Sequence, residues 1–145
     1  MNAGDTTAAP ATSIGRKRLY WASTGFAALA LAAIGSSDLL RLPAVIEGLV
    51  HLGYPAYFPT ILGTWTLLGV AAIVAPGLPR FKEWAYAGFF FALTGAALSH
   101  AWSGDPIAKI ALPLAVLALV LTSRALLPAR AAVVAVERPA LQAAA

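Results

Sequence analysis

The sequence contains no cysteine, which removes disulfides, thiolate metal ligands and thiol redox chemistry from consideration. It is also poor in charge. Only 11% of its 145 residues are Asp, Glu, Lys or Arg, against about 25% in soluble domains, too few to clothe a soluble surface of this size. The middle of every long apolar run is uncharged. Intramembrane ionisable residues are the usual sign of an ion or proton pathway, so their absence argues against transport through a single chain. No histidine pair suited to haem lies within the apolar runs, and no glycine-rich dinucleotide or flavin motif is present. No cofactor is evident, and the chain could not carry electrons alone.

What is abundant is apolar sequence, 60% of all residues, arranged in long runs. A helical bilayer crossing needs about 20 apolar residues, and the length accommodates four crossings with short loops. The runs predict spans at residues 19–37, 59–75, 84–102 and 107–123. The first run follows a basic cluster, as a signal peptide would, but signal h-regions span about 7–15 residues, so a retained helix is the simpler account. Between the first two spans, Leu42, Val45, Ile46, Leu49, Val50 and Leu52 recur at helical spacing among returning charges. That pattern predicts a short amphipathic helix over 43–52 at the membrane interface, begun by Pro43 and capped by Gly53. The stretch PGLPRFKE reads as a turn before the third span, and SGDP as one after it. The expected fold is all-α: an integral membrane four-helix bundle with a short interfacial helix between the first and second spans.

Residues 1–18 read as a disordered basic tail, 19–127 as one four-span domain, and 128–145 as a cytoplasmic C-terminal tail. Arg16, Lys17, Arg18, Arg80, Lys82, Arg124, Arg130 and Arg138 would fall on one side of the membrane, and only Arg41 and Lys109 on the other. The positive-inside rule puts the eight in the cytoplasm with both termini. A basic balance of +4 placed at the ends of apolar runs fits lipid headgroups rather than nucleic acid. The bilayer is thus the expected partner; the sequence does not set the oligomeric state.

Membrane helices associate by close packing of small residues. Gly25, Ala28, Ala32 and Gly35 could serve the first span, and Gly63 and Gly69 the second. Gly88, Ala92, Gly95, Ala96 and Ser99 form the clearest stripe, on the third span, and suggest that this helix is central.

The stretches EGLVHLGYPAYFPTILGTW, LLGVAAI and PRFKEWAYAGFFFALTGAALSHAWSGD, within residues 47–105, resemble the DoxX-like family of small bacterial membrane proteins with four transmembrane helices. The resemblance implies an inner-membrane protein, an accessory or subunit protein of unassigned activity. The family's name derives from a subunit linked to thiosulfate:quinone oxidoreductase, which implies a quinone and a membrane redox partner protein as candidate ligand and partner. Family members often carry a lysine where this chain has Thr66 and an aspartate where it has Ala92. That difference implies that the second and third spans lie side by side, with Thr66 near Ala92.

The polar residues expected to gather on the outward side are Glu47, His51, His100 and Asp105. Glu47 and His51, four apart, share a helix face. Two histidines and two carboxylates are chemically suited to a divalent metal, although their spacing matches no metal motif; interfacial anchoring is the simpler role. A quinone site would need an apolar slot, an aromatic wall and a donor, for which His100, Ser99, Trp102, Tyr54 and Tyr57 are the candidates.

Overall fold

The structure, a computed structural model, describes residues 11–127. Within them the chain is helical, with five helices and no strand: α1 (Ala11–Leu39), α2 (Pro43–His51), α3 (Phe58–Val74), α4 (Pro79–Trp102) and α5 (Ile107–Leu126). Residues 1–10 and 128–145, the greater part of the expected tails, lie outside the described residues. Two helices, over Ile14–Leu39 and Ile107–Leu126, are long and apolar enough to cross a bilayer. The apolar α3 has 17 residues, and α4 has 24 but opens with Arg80, Lys82 and Glu83.

Several boundaries differ from the sequence expectation. The expected tail is already helical from Ala11, so Arg16, Lys17 and Arg18 ride on α1. The turn read at PGLPRFKE ends earlier, because Pro79 occupies the first position of α4 and is pre-organised there. Pro113 sits inside α5 without ending it.

Helix α1 packs against α3 and α5, and α4 closes the ring by packing against the same two; short α2 leans on α1 and α3. The core between them comprises Ala27, Ala28 and Leu31 of α1, Ile73 of α3, Tyr86, Phe89 and Leu93 of α4, and Val116, Leu117 and Val120 of α5.

The small-residue stripe on α4 is not its packing face. The buried face is Lys82, Tyr86, Phe89, Leu93 and Ala97, spaced by four, three, four and four. Gly88 and Ala92 are exposed, and a Cβ added at Gly88 or Gly95 would meet nothing within 4 Å. Large side chains hold α4 off its neighbours on that flank, which leaves the stripe lining a groove instead of a contact. The close backbone approach lies between α1 and α3. A Cβ on Gly63 would stand 2.6 Å from the Gly35 carbonyl oxygen and 2.7 Å from the Leu39 nitrogen. The Gly35 Cβ position lies 3.0 Å from the Thr66 methyl. The most extensively packed helix is therefore α1, and not the expected α4.

Candidate functional site

Three helix ends meet at the end of the molecule that carries α2, and all three are closed by the same Schellman arrangement. After α2, Gly53 takes a positive φ of 89°; its N–H donates to Val50 and that of Tyr54 donates to Leu49. After α4, Gly104 has φ 70°; its N–H donates to Ala101 and that of Asp105 donates to His100. After α1 the left-handed position falls to Arg41, φ 53°, with Arg41 and Leu42 donating to Asp38 and Ser37. A non-glycine residue there costs roughly 1–2 kcal/mol. The turn directs the Arg41 guanidinium to the Ala56 carbonyl, 3.1 Å away.

These turns fold the chain back on itself and place the polar side chains. Asp105, its side chain only 6% exposed, is the hub. Its Oδ2 lies 2.8 Å from His100 Nδ1 and 3.3 Å from His51 Nε2, and its Oδ1 accepts from Lys109 Nζ at 2.9 Å. One carboxylate thus joins the end of α2, the end of α4 and the start of α5. The His100 hydrogen bond, then Lys109, holds the Asp105 carboxyl down from 3.8 to about 2. Beside it, the Tyr54 hydroxyl bonds Ser99 Oγ at 2.8 Å, while Ser99 also donates to the Gly95 carbonyl.

The structure therefore brings together His51, His100 and Asp105, and separately Tyr54 and Ser99. It leaves out Glu47, which is exposed and makes no side-chain hydrogen bond or ion pair among the described residues. Among the described residues no group of three or more His, Cys, Asp or Glu side chains is placed to hold a metal ion. The physical reason is the hub itself: its carboxylate is occupied by an ammonium on one oxygen and two imidazoles on the other. Of the aromatic residues expected at a quinone site, Tyr54 bonds Ser99, whereas Trp102 and Tyr57 are exposed.

By sequence Lys109 counts only among the two basic residues on the outer side, although its i,i+4 spacing from Asp105 is the signal for an ion pair. Asp38, near the end of α1, directly follows the first apolar run. It is buried against the Gly63 crossing, and its Oδ2 has no hydrogen-bond partner.

A second polar cluster occupies the opposite end. Ser123 of α5 bonds Thr24 of α1 at 2.6 Å and Tyr86 of α4 at 2.8 Å, and all three are buried. Tyr20 of α1 is buried at the same end. Buried Lys82 donates to the Ile73 carbonyl, one of the carbonyls that the end of α3 leaves without an intrahelical partner. Arg124 and Glu83 pair at 2.8 Å on the surface.

Between α3 and α4 runs an open apolar groove of about 440 Å³. Its walls include Trp65, Thr66 and Gly69 of α3 and Trp84, Gly88 and Ala92 of α4. Thr66 and Ala92 thus share one groove, and α3 and α4 pack side by side, as the family resemblance implied.

Comparison with curated proteins and with solved structures gives no match. Residues 22–123, well over half of the chain and all of its packed core, match the profile of the DoxX-like family, and the chain belongs to that family.

Proposed function

We propose that this protein is a small accessory subunit of the bacterial inner membrane, crossing it four times through α1, α3, α4 and α5, with both termini in the cytoplasm. Large apolar side chains on the outside of all four long helices support the crossings. Phe26 and Leu29 of α1, Trp65 of α3, Phe91 and Leu98 of α4 and Leu112 of α5 are all exposed, whereas soluble monomers rarely expose apolar patches beyond a few hundred Å². Hydrocarbon would cover that belt. The split of basic residues supports the orientation. In it, α2 lies at the outer interface and the Arg124–Glu83 pair at the inner one.

The accessory reading rests on one observation. At the α2 end His51, His100, Lys109 and Asp105 are already bonded to one another, as are Tyr54 and Ser99, while Glu47 and the Asp38 Oδ2 stand apart from both groups. Asp105 serves as a latch that fastens the interfacial helix to the ends of α4 and α5, and is not poised as a base. Purifying the tagged full-length protein in mild detergent tests this. Co-purification of a defined membrane partner is the expected result. A chain that runs alone, and whose lipid extract holds stoichiometric quinone lost on His100→Ala, would instead favour a quinone-linked oxidoreductase subunit using the donors His100, Ser99 and Tyr54.

A further inference from the structure

We propose that the α3–α4 groove is a binding site for one anionic phospholipid, with an acyl chain along the groove and the phosphate at Arg80. The inference rests on the membrane-spanning reading above. In a bilayer an open apolar groove on the outer surface fills with hydrocarbon, and three features select a phospholipid chain with an acidic head.

The first is length. On α4 the lining runs from Phe81 to Ala92, eleven steps of about 1.5 Å, or roughly 16 Å. One leaflet of a bilayer with a core of about 30 Å is about 15 Å deep. The groove therefore matches one acyl chain in one leaflet, the inner one. The second is polarity: apart from the Thr66 hydroxyl and the indole N–H groups of Trp65 and Trp84, the lining side chains are apolar or absent, so the wall is overwhelmingly hydrocarbon.

The third is charge at one end. Arg80 stands four residues before Trp84 and eight before Gly88, so it lies on the helix face that lines the groove. Helical side chains lean toward the N-terminus, which carries the exposed guanidinium beyond the groove's inner mouth, to headgroup depth. The neighbouring cations are committed elsewhere, Lys82 to the Ile73 carbonyl and Arg124 to Glu83. Arg80 makes no ion pair among the described residues. A guanidinium suits a phosphate by bidentate hydrogen bonding.

Trp65 and Trp84, on the groove walls, report its occupant in a background in which Trp21 and Trp102, exposed elsewhere on the chain, are replaced by Phe. The full-length protein is reconstituted in mixed phosphatidylcholine and phosphatidylglycerol vesicles, with bromines on the acyl chains of one lipid or the other at equal mole fraction. Bromine quenches tryptophan on contact. Quenching should correspond to about fivefold enrichment of phosphatidylglycerol at the groove, the attraction of one basic residue at a membrane surface. Arg80→Gln should abolish the preference and Arg80→Lys should largely keep it. Gly88→Leu, placed where an added Cβ meets nothing within 4 Å, should project into the groove and lower quenching by both lipids. Equal quenching by the two lipids with Arg80 in place, or a preference that survives Arg80→Gln, overturns the proposal. Absence of quenching by either lipid would instead refute the membrane-spanning reading beneath it.

Discussion

His100 and Asp105 are joined twice, once through the backbone and once through their side chains. The Asp105 N–H donates to the His100 carbonyl at 3.0 Å, and His100 Nδ1 lies 2.8 Å from Asp105 Oδ2. The first bond belongs to the Gly104 turn, and it sets the geometry for the second. Helix ending and site assembly are therefore the same event.

The pH dependence of the latch follows from Asp105. Its carboxyl is depressed from 3.8 to about 2, chiefly by the His100 hydrogen bond. A depressed carboxyl contributes stability above its unfolded value and loses it as pH falls toward the folded one. The stability difference between wild type and Asp105→Asn should be constant above about pH 4 and shrink between 3.8 and about 2. Detergent-resistant unfolding followed by circular dichroism across that range measures it. A difference unchanged down to pH 2 would show that the carboxylate is not what holds the turn.

The two glycines Gly63 and Gly88 should respond oppositely to the same substitution. Gly63→Ala forces α1 and α3 apart, because the new Cβ would meet backbone at 2.6 and 2.7 Å; overpacking of this kind costs about 1–3 kcal/mol. Gly88→Ala meets nothing, and a better helix former there should leave stability unchanged or slightly improved. Thermal unfolding of the two variants checks the contrast.

Ser123→Ala removes the shared partner of Thr24 and Tyr86, both buried. Hydrogen bonds between membrane helices average about 0.6 kcal/mol and reach about 1.7. A loss of about 1–2 kcal/mol is expected here, because one substitution breaks two bonds. Adding Tyr86→Phe should cost less than it does in the wild-type background, which a double-mutant cycle reads directly.

Thr66 and Ala92 line the same apolar groove. Ala92→Asp alone should lower folded yield, since an isolated charge at mid-membrane costs at least about 2.5–3.5 kcal/mol. Adding Thr66→Lys supplies a partner across the groove and should restore the yield. Size-exclusion profiles of the single and double variants decide it; no recovery would mean that the two positions do not pair.

The helices were legible in the sequence because apolar runs, prolines and glycine stops are local signals. Pro43, Gly53 and Gly104 stand where the sequence put a helix start, a cap and a tight turn. That His51, His100 and Asp105 lie at one end was legible from the order of spans and loops, but spacing alone did not say that they would touch. The packing faces were not. Small residues allow close approach without requiring it, and whether a stripe becomes a contact depends on the bulk beside it. On α4 the bulk of Phe89 and Tyr86 claimed the interior, so Gly88 and Ala92 were left on the groove. Glu47 failed to join the site for a related reason. It shares a face with His51 by spacing, but only the last turn of α2 reaches the Asp105 hub.

The membrane topology is tested most directly by fusing a reporter to each end of the full-length chain, one active only in the cytoplasm and one active only in the periplasm. Four crossings with the basic ends inside require cytoplasmic reporter activity at both termini, and periplasmic activity for an insertion after Gly104. A periplasmic signal from either terminus would contradict the four-span arrangement.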